Sequence, residues 1–166
     1  MKRSSTLRSL ATLTLALVPT APVIAGIADS PLPVLAAGKT TLYLYSVPGV
    51  IAIGDLGTYF SCTSTDTAPM QVGVELFFGP GGAPANDAAA TSLGVGPGAT
   101  VIFGTGAAVE ISIDSNLGGG FSRGSTRILA TSKKLICTAF LADRGNAPPT
   151  SMVHLDVVSK LKQKGV

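Results

Sequence analysis

The chain has 166 residues, 20 of them Gly and 11 Pro, with no Trp and only 13% charged residues. Its 12 basic and 9 acidic residues give a net charge of +3. Three of the basic residues, Lys2, Arg3 and Arg8, belong to an N-terminal leader, and without them nine basic residues face nine acidic ones. An electrostatic footprint for nucleic acid is thereby excluded.

The leader has the order of a secretory signal. A positive start (Lys2, Arg3, Arg8) precedes the apolar run LATLTLALV at 10–18, which stops at Pro19. Small residues then recur at cleavage-site spacing: Val23 with Ala25, Gly26 with Ala28, and Val34 with Ala36. Cleavage after Ala25 is expected, with Ala28 and Ala36 as the other candidates. A retained anchor is the competing reading, because residues 10–28 are uncharged and just long enough to cross a bilayer. Pro19, Pro22 and several threonines interrupt that stretch, and no cysteine lies near the cut to carry a lipid. The organisation expected is signal 1–25, linker 26–39, one β-domain at 40–159 and a basic tail at 160–166. Lys160, Lys162 and Lys164 read as a solvated tail.

Beyond the leader the dominant pattern has period two, the signature of half-buried strands. Leu42 and Leu44 alternate with Tyr43 and Tyr45. Phe60 shares a face with Cys62. Val72, Val74, Leu76 and Phe78 alternate with Gln71, Gly73, Glu75 and Phe77. In VEISID, Val109, Ile111 and Ile113 oppose Glu110, Ser112 and Asp114. In SMVHLDVVS, Val153, Leu155 and Val157 oppose His154, Asp156 and Val158. Val47-Pro48-Gly49, Ala68-Pro69, GPGGAPAND, Gly96-Pro97-Gly98 and NLGGG punctuate these runs as turns. Seven or eight short strands at this spacing predict an all-β antiparallel sandwich, with no repeat and no second domain.

SLGVGPGATVIFGT, beginning at Ser92, resembles the Leu-x-Val-x-Pro-Gly-x-Thr-Val pattern of bacterial immunoglobulin-like sandwiches. FSCTSTDTAPMQVGVELFFGPGG, beginning at Phe60, resembles their preceding hairpin. STRILATSKKLICTAFLADRGNAPPTSMVHLDVVS is similar to the closing half of small secreted bacterial proteins of no assigned activity. Antibody-type domains carry a buried Trp and a Tyr two residues before the second Cys. Here there is no Trp, and Leu135 stands in the Tyr position.

The resemblance implies that Cys62 and Cys137 form a disulfide between the second and sixth strands, in opposite sheets. Export to a compartment that permits disulfides agrees with this, and alternation turns both cysteines inward. Buried free thiols and cysteine chemistry are the alternatives. A catalytic thiolate needs an adjacent base, and the one histidine, His154, alternates to the outer face. Two cysteines and one distant histidine make an incomplete zinc set. Asp87 and Asp114, beside Asn86 and Asn116, read as turn formers and lack the spacing of a helical calcium loop. The glycine runs precede no helix and read as loops, not as phosphate cradles. No catalytic, cofactor or metal-binding residue is expected.

What remains is surface. Tyr43, Tyr45 and Tyr59 alternate against the core residues of their strands, and Ile136 and Phe140 against Cys137, so these five form a candidate contact surface unless loops or the leader-proximal segment cover them. The expectation is an exported (secreted, periplasmic or envelope) non-enzymatic domain for surface interaction or envelope structure. A carbohydrate-binding module using the tyrosines, or an enzyme with an undetected site, are the alternatives. The partner is an unknown protein or glycan, with no membrane span once the signal is removed.

Overall fold

The computed structural model describes residues 26–108, 110–118 and 120–160. The expected signal, with Lys2, Arg3 and Arg8, lies outside the described residues, as do Val109 and the tail residues Lys162 and Lys164. The fold is all-β, with no α-helix among the described residues. Its strands are β1 (Leu42–Ile53), β2 (Leu56–Ser64), β3 (Met70–Phe78), β4 (Leu93–Val95) and β5 (Thr100–Gly104). They continue with β6 (Ser115–Asn116), β7 (Arg123–Ala130), β8 (Leu135–Asp143), β9 (Met152–Leu155) and β10 (Val158–Ser159).

One layer runs β4-β3-β7-β1-β10, and the other runs β6-β5-β2-β8-β9. The β1–β2 hairpin pairs Ala52 with Gly57 and Ile53 with Leu56, making one continuous ten-stranded sheet folded on itself. Two differences from the expected all-antiparallel, seven- or eight-stranded sandwich arise from short pieces. β6 and β10 are two residues each, too short to show alternation, and β6 pairs parallel to β5. The described part of VEISID, residues 110–114, is not a strand. Asp114 spends its carboxylate on the Ile102 amide at 2.7 Å, and the ladder with β5 begins only at Ser115.

The resembled hairpin is also absent. β2 and β3 lie in different layers, so the DTAP turn carries the chain across the core. The Pro97-Gly98 turn does the same between β4 and β5, with Gly98 at φ 71°. Between the layers sit Leu44, Val47 and Val50 of β1, Phe60 and Cys62 of β2, Val72, Val74 and Leu76 of β3, Phe103 of β5 and Ile128 of β7. Each such side chain stabilises the fold by roughly 1.5–3 kcal/mol relative to exposure.

β1 departs from simple alternation twice. Its register to β7 slips between Tyr43 and Tyr45 and again between Pro48 and Val50. In a bulge, two residues oppose one, and the strand bends and re-aims the side chains beyond it. Val47-Pro48-Gly49, expected as a turn, is therefore the second bulge of a 12-residue strand, with Gly49 at φ 73° supplying the left-handed residue.

Residues 26–39 lie over the outer face of the first layer. Leu35 packs with Ala88, Leu129 and Tyr43 in a second, smaller core. Gly73 of β3 floors this cluster, since a Cβ there would stand 2.8 Å from Leu35 Cδ2 and 3.0 Å from the Ala88 carbonyl oxygen. The 79–92 connection guards the outer edge of β3. Asn86 Oδ1 accepts from Leu76 N at 2.7 Å, its Nδ2 donates to Val74 O at 2.9 Å, and Ala85 N donates to Leu76 O at 2.8 Å. Side chain and loop together stand in for the strand that β4 is too short to provide.

Candidate contact surface

The five aromatic and apolar positions expected to form one surface do not meet on one face. Tyr43 and Tyr45 belong to β1 in the first layer, whereas Tyr59, Ile136 and Phe140 belong to β2 and β8 in the second.

Tyr45 is swung inward by the first bulge. It packs against the main core, and its hydroxyl donates to the Leu135 carbonyl, tying the two layers together. Tyr43 does face outward, but that face is covered. Its ring lies against Leu35, Ala88 and Leu129, its hydroxyl is 2.5 Å from Ser46 Oγ, and Lys160 Nζ stands 4.0 Å from its centroid.

Tyr59 is fully buried, so of the two alternatives for this residue the covered one holds. Register sets it between Gly104 of β5 and Phe140 of β8. The missing side chain at Gly104 makes room on one side, for a Cβ there would reach 3.1 Å from Tyr59 Cε1. Phe140 stacks on the other side, with ring centroids 5.4 Å apart and planes at 24°. Burial raises the Tyr59 pKa, the nearby Arg144 guanidinium opposes the rise, and Asp143 adds to it. The three tyrosines therefore make no shared platform on which a sugar ring could stack.

Cys62 and Cys137 are joined, as expected, but within one layer. They are directly opposed on the antiparallel neighbours β2 and β8, with Cα atoms 4.2 Å apart. The close pair of an antiparallel ladder has this spacing. The placement in opposite sheets is thus corrected: the 75-residue loop closed by the bridge starts and ends in the same sheet. Constraining a loop of that length stabilises by about 4 kcal/mol in the chain-entropy picture.

Large apolar side chains are exposed on β8 and β9 of the second layer, and also at Leu32 and Val34 of the covering segment and at Ile53 and Leu56 of the β1–β2 hairpin. Ile136, on the side of β8 opposite Cys137, is 61% exposed, and Met152 and Val153 are each 57% exposed. Phe140 is opposite the exposed His154, and Ala142 is opposite Met152. The outer face of these two strands thus presents Ile136, half-buried Phe140, His154 and Met152. Val153 was expected to point into the core. Among the described residues β9 is a four-residue strand paired only with β8, and Val153, opposite Leu141, is left exposed. Leu155, nearer the middle, does pack against the core.

The polar groups weighed in the sequence serve turns. Asp87 Oδ1 accepts from Ala89 N at 2.9 Å, and Asn116 Oδ1 accepts from Gly118 N at 2.9 Å. Asp143 accepts from Thr150 N, Thr150 Oγ1 and Ser151 N, which closes the 144–151 loop before β9. The Thr150 hydroxyl and these amides lower the Asp143 pKa to about 2.

Nothing in the sequence singled out Arg127. Its side chain is 1% exposed and lies on the outer face of β7. Nε meets Glu75 at 2.5 Å, while its Cζ stands 5.1 Å from the Phe77 ring centroid and 5.9 Å from that of Tyr43. Its remaining donors leave the sheet. One terminal nitrogen donates to the Ser30 carbonyl at 2.9 Å and the other to the Pro31 carbonyl at 2.8 Å. A buried ion pair is tolerable when further hydrogen bonds satisfy the guanidinium, and losing one partner costs about 3–5 kcal/mol. A lone Arg in an alternating strand reads as a solvent-facing residue, and only the segment folded over it makes it internal.

Set against models of known protein families, curated proteins and solved structures, the chain matches none of them. No helix among the described residues is long and apolar enough to cross a membrane.

Proposed function

We propose that this is an exported, non-enzymatic β-sandwich domain that acts in surface interaction or envelope structure, through the outer face and edge of β8 and β9. The exposure of Met152 and Val153 on β9, and of Ile136 further along the outer face of β8, carries the reading. Exposed apolar side chains grouped on an edge mark contact sites more often than scattered ones do. The leader and the Cys62–Cys137 bridge support a destination outside the cytoplasm. Binding through this face depends on apolar contact and responds weakly to salt.

The experiment is in-cell crosslinking and pull-down from the exported fraction, comparing the natural chain with an Ile136→Lys/Met152→Lys double variant. The variant should fold normally, because both side chains are exposed, and should lose its crosslinked partner at low and high salt alike. Equal capture by the two proteins would refute the assignment of this face.

A further inference from the structure

Residues 26–35 are bound to the sheet as a peptide is bound to a receptor. They make no strand pairing, so what holds them is side-chain recognition. Arg127 reads the carbonyls of Ser30 and Pro31, with a longer contact of 3.5 Å to that of Ile27. Leu35 fills the socket over Gly73, and its amide donates to Thr41 Oγ1 at 3.3 Å. Pro31 and Pro33 limit the freedom lost on binding. At Gly26, the first described residue, a turn closes. Its carbonyl accepts from Ser30 N at 2.9 Å, its own N donates to Asp29 Oδ1 at 2.6 Å, and its Cα would lie 3.4 Å from a side chain at Gly82.

We propose that this binding site fixes where the processed chain begins: cleavage falls between Ala25 and Gly26, and the new Gly26 α-ammonium clasps Asp29. The inference rests on the export reading above. The three cleavage-site candidates differ sharply in what they leave behind. A cut after Ala36 removes every carbonyl that Arg127 reads, together with Leu35, and uncovers Arg127, Leu129 and the socket over Gly73. A cut after Ala28 removes Gly26, the closing turn and the Ile27 carbonyl. Of the three, only a cut after Ala25 keeps every described contact of the segment. In that hydrolysis water adds its hydroxyl to the Ala25 carbonyl carbon and a proton to the Gly26 nitrogen, which takes up a second proton at neutral pH. The amide that donated one hydrogen to Asp29 becomes a cation beside a carboxylate, so processing strengthens the contact. The residues that anchor the segment are thus Arg127 from beneath and Asp29 at its end.

The test begins with the intact mass of the full chain recovered after export. A first residue of Gly26 is expected. Any other first residue overturns the proposal while leaving export intact, whereas an unprocessed chain held in membranes overturns the export reading itself. Two variants then probe the clasp and the anchor. Asp29→Asn is exposed and should fold normally, and its α-amine should acylate at neutral pH at least about twofold faster than that of the natural protein, because the carboxylate no longer favours the ammonium. Equal rates overturn the clasp. Arg127→Lys keeps the charge but loses the fork, and protease cleavage within residues 26–35 should speed up about tenfold or more while the sandwich stays resistant. Unchanged cleavage there overturns Arg127 as the anchor, and an Arg127→Lys protein cut equally throughout does so as well.

Discussion

Asp66 and Asp143 do similar work at opposite ends of the sandwich. Asp66 accepts from Ser132 Oγ at 2.5 Å and from Thr67 N at 2.7 Å, with Lys134 Nζ at 3.4 Å, and these contacts, the Ser132 hydroxyl foremost, lower its pKa to about 2. Asp143 is lowered to about 2 mainly by the Thr150 hydroxyl. The ordinary value is 3.8 for both, so below that pH the unfolded chain binds more protons than the folded one. Their stabilisation is complete above the ordinary value and is lost as pH falls through about 2. Denaturant midpoints measured across that acid range should fall steadily. In Asp143→Asn the slope should flatten and the neutral-pH midpoint should drop. A midpoint independent of pH in the acid range would show that these carboxylates do not support the loops they cap.

At the scale of elements, the β2–β8 pair is the spine of the second layer, with nine opposed residue pairs and the disulfide near its Ser64–Leu135 end. Because β2 and β8 are far apart in the chain, the bridge restricts the unfolded ensemble more than it tightens the folded ladder. A Cys62→Ala/Cys137→Ala protein should keep its β-structure by circular dichroism and lose about 4 kcal/mol, which lowers its Tm by more than about 10 °C. An unchanged Tm would mean that the reduced chain is already restricted elsewhere.

The same strand pair carries the Tyr59–Phe140 stack. Phe140→Ala should cost about 2 kcal/mol, from lost burial and lost ring contact over a buried Tyr59. The exposed neighbour His154→Ala should stay within about 0.5 kcal/mol of the natural protein. Thermal melts of the two variants check this. Loss of a measurable activity in the His154 variant alone, with its fold intact, would overturn the non-enzymatic proposal. On β1, the bulges explain why Tyr45 packs inside while Tyr43, two residues earlier, lies outside.

For the molecule as a whole, alternation alone was enough to identify the all-β class, the inward faces of β2 and β3, the inward cysteines and the side of β8 on which Ile136 lies. These are local properties: successive side chains of a strand point to opposite sides whatever it pairs with. Four things depended on which strands became neighbours and what was laid over them. The cysteines share one sheet because β2 pairs with β8 across 75 residues of sequence separation. Tyr59 is buried because Gly104 and Phe140 flank it, and Val153 is exposed on β9, which pairs only with β8 among the described residues. Phe77, Glu75 and Arg127 alternate away from the main core yet are buried, since residues 26–39 form a cover over that face. Period two tells which residues share a side of a strand. Whether that side meets water, a second sheet or a returning segment is set by contacts between residues distant in the chain, and the local pattern does not encode them.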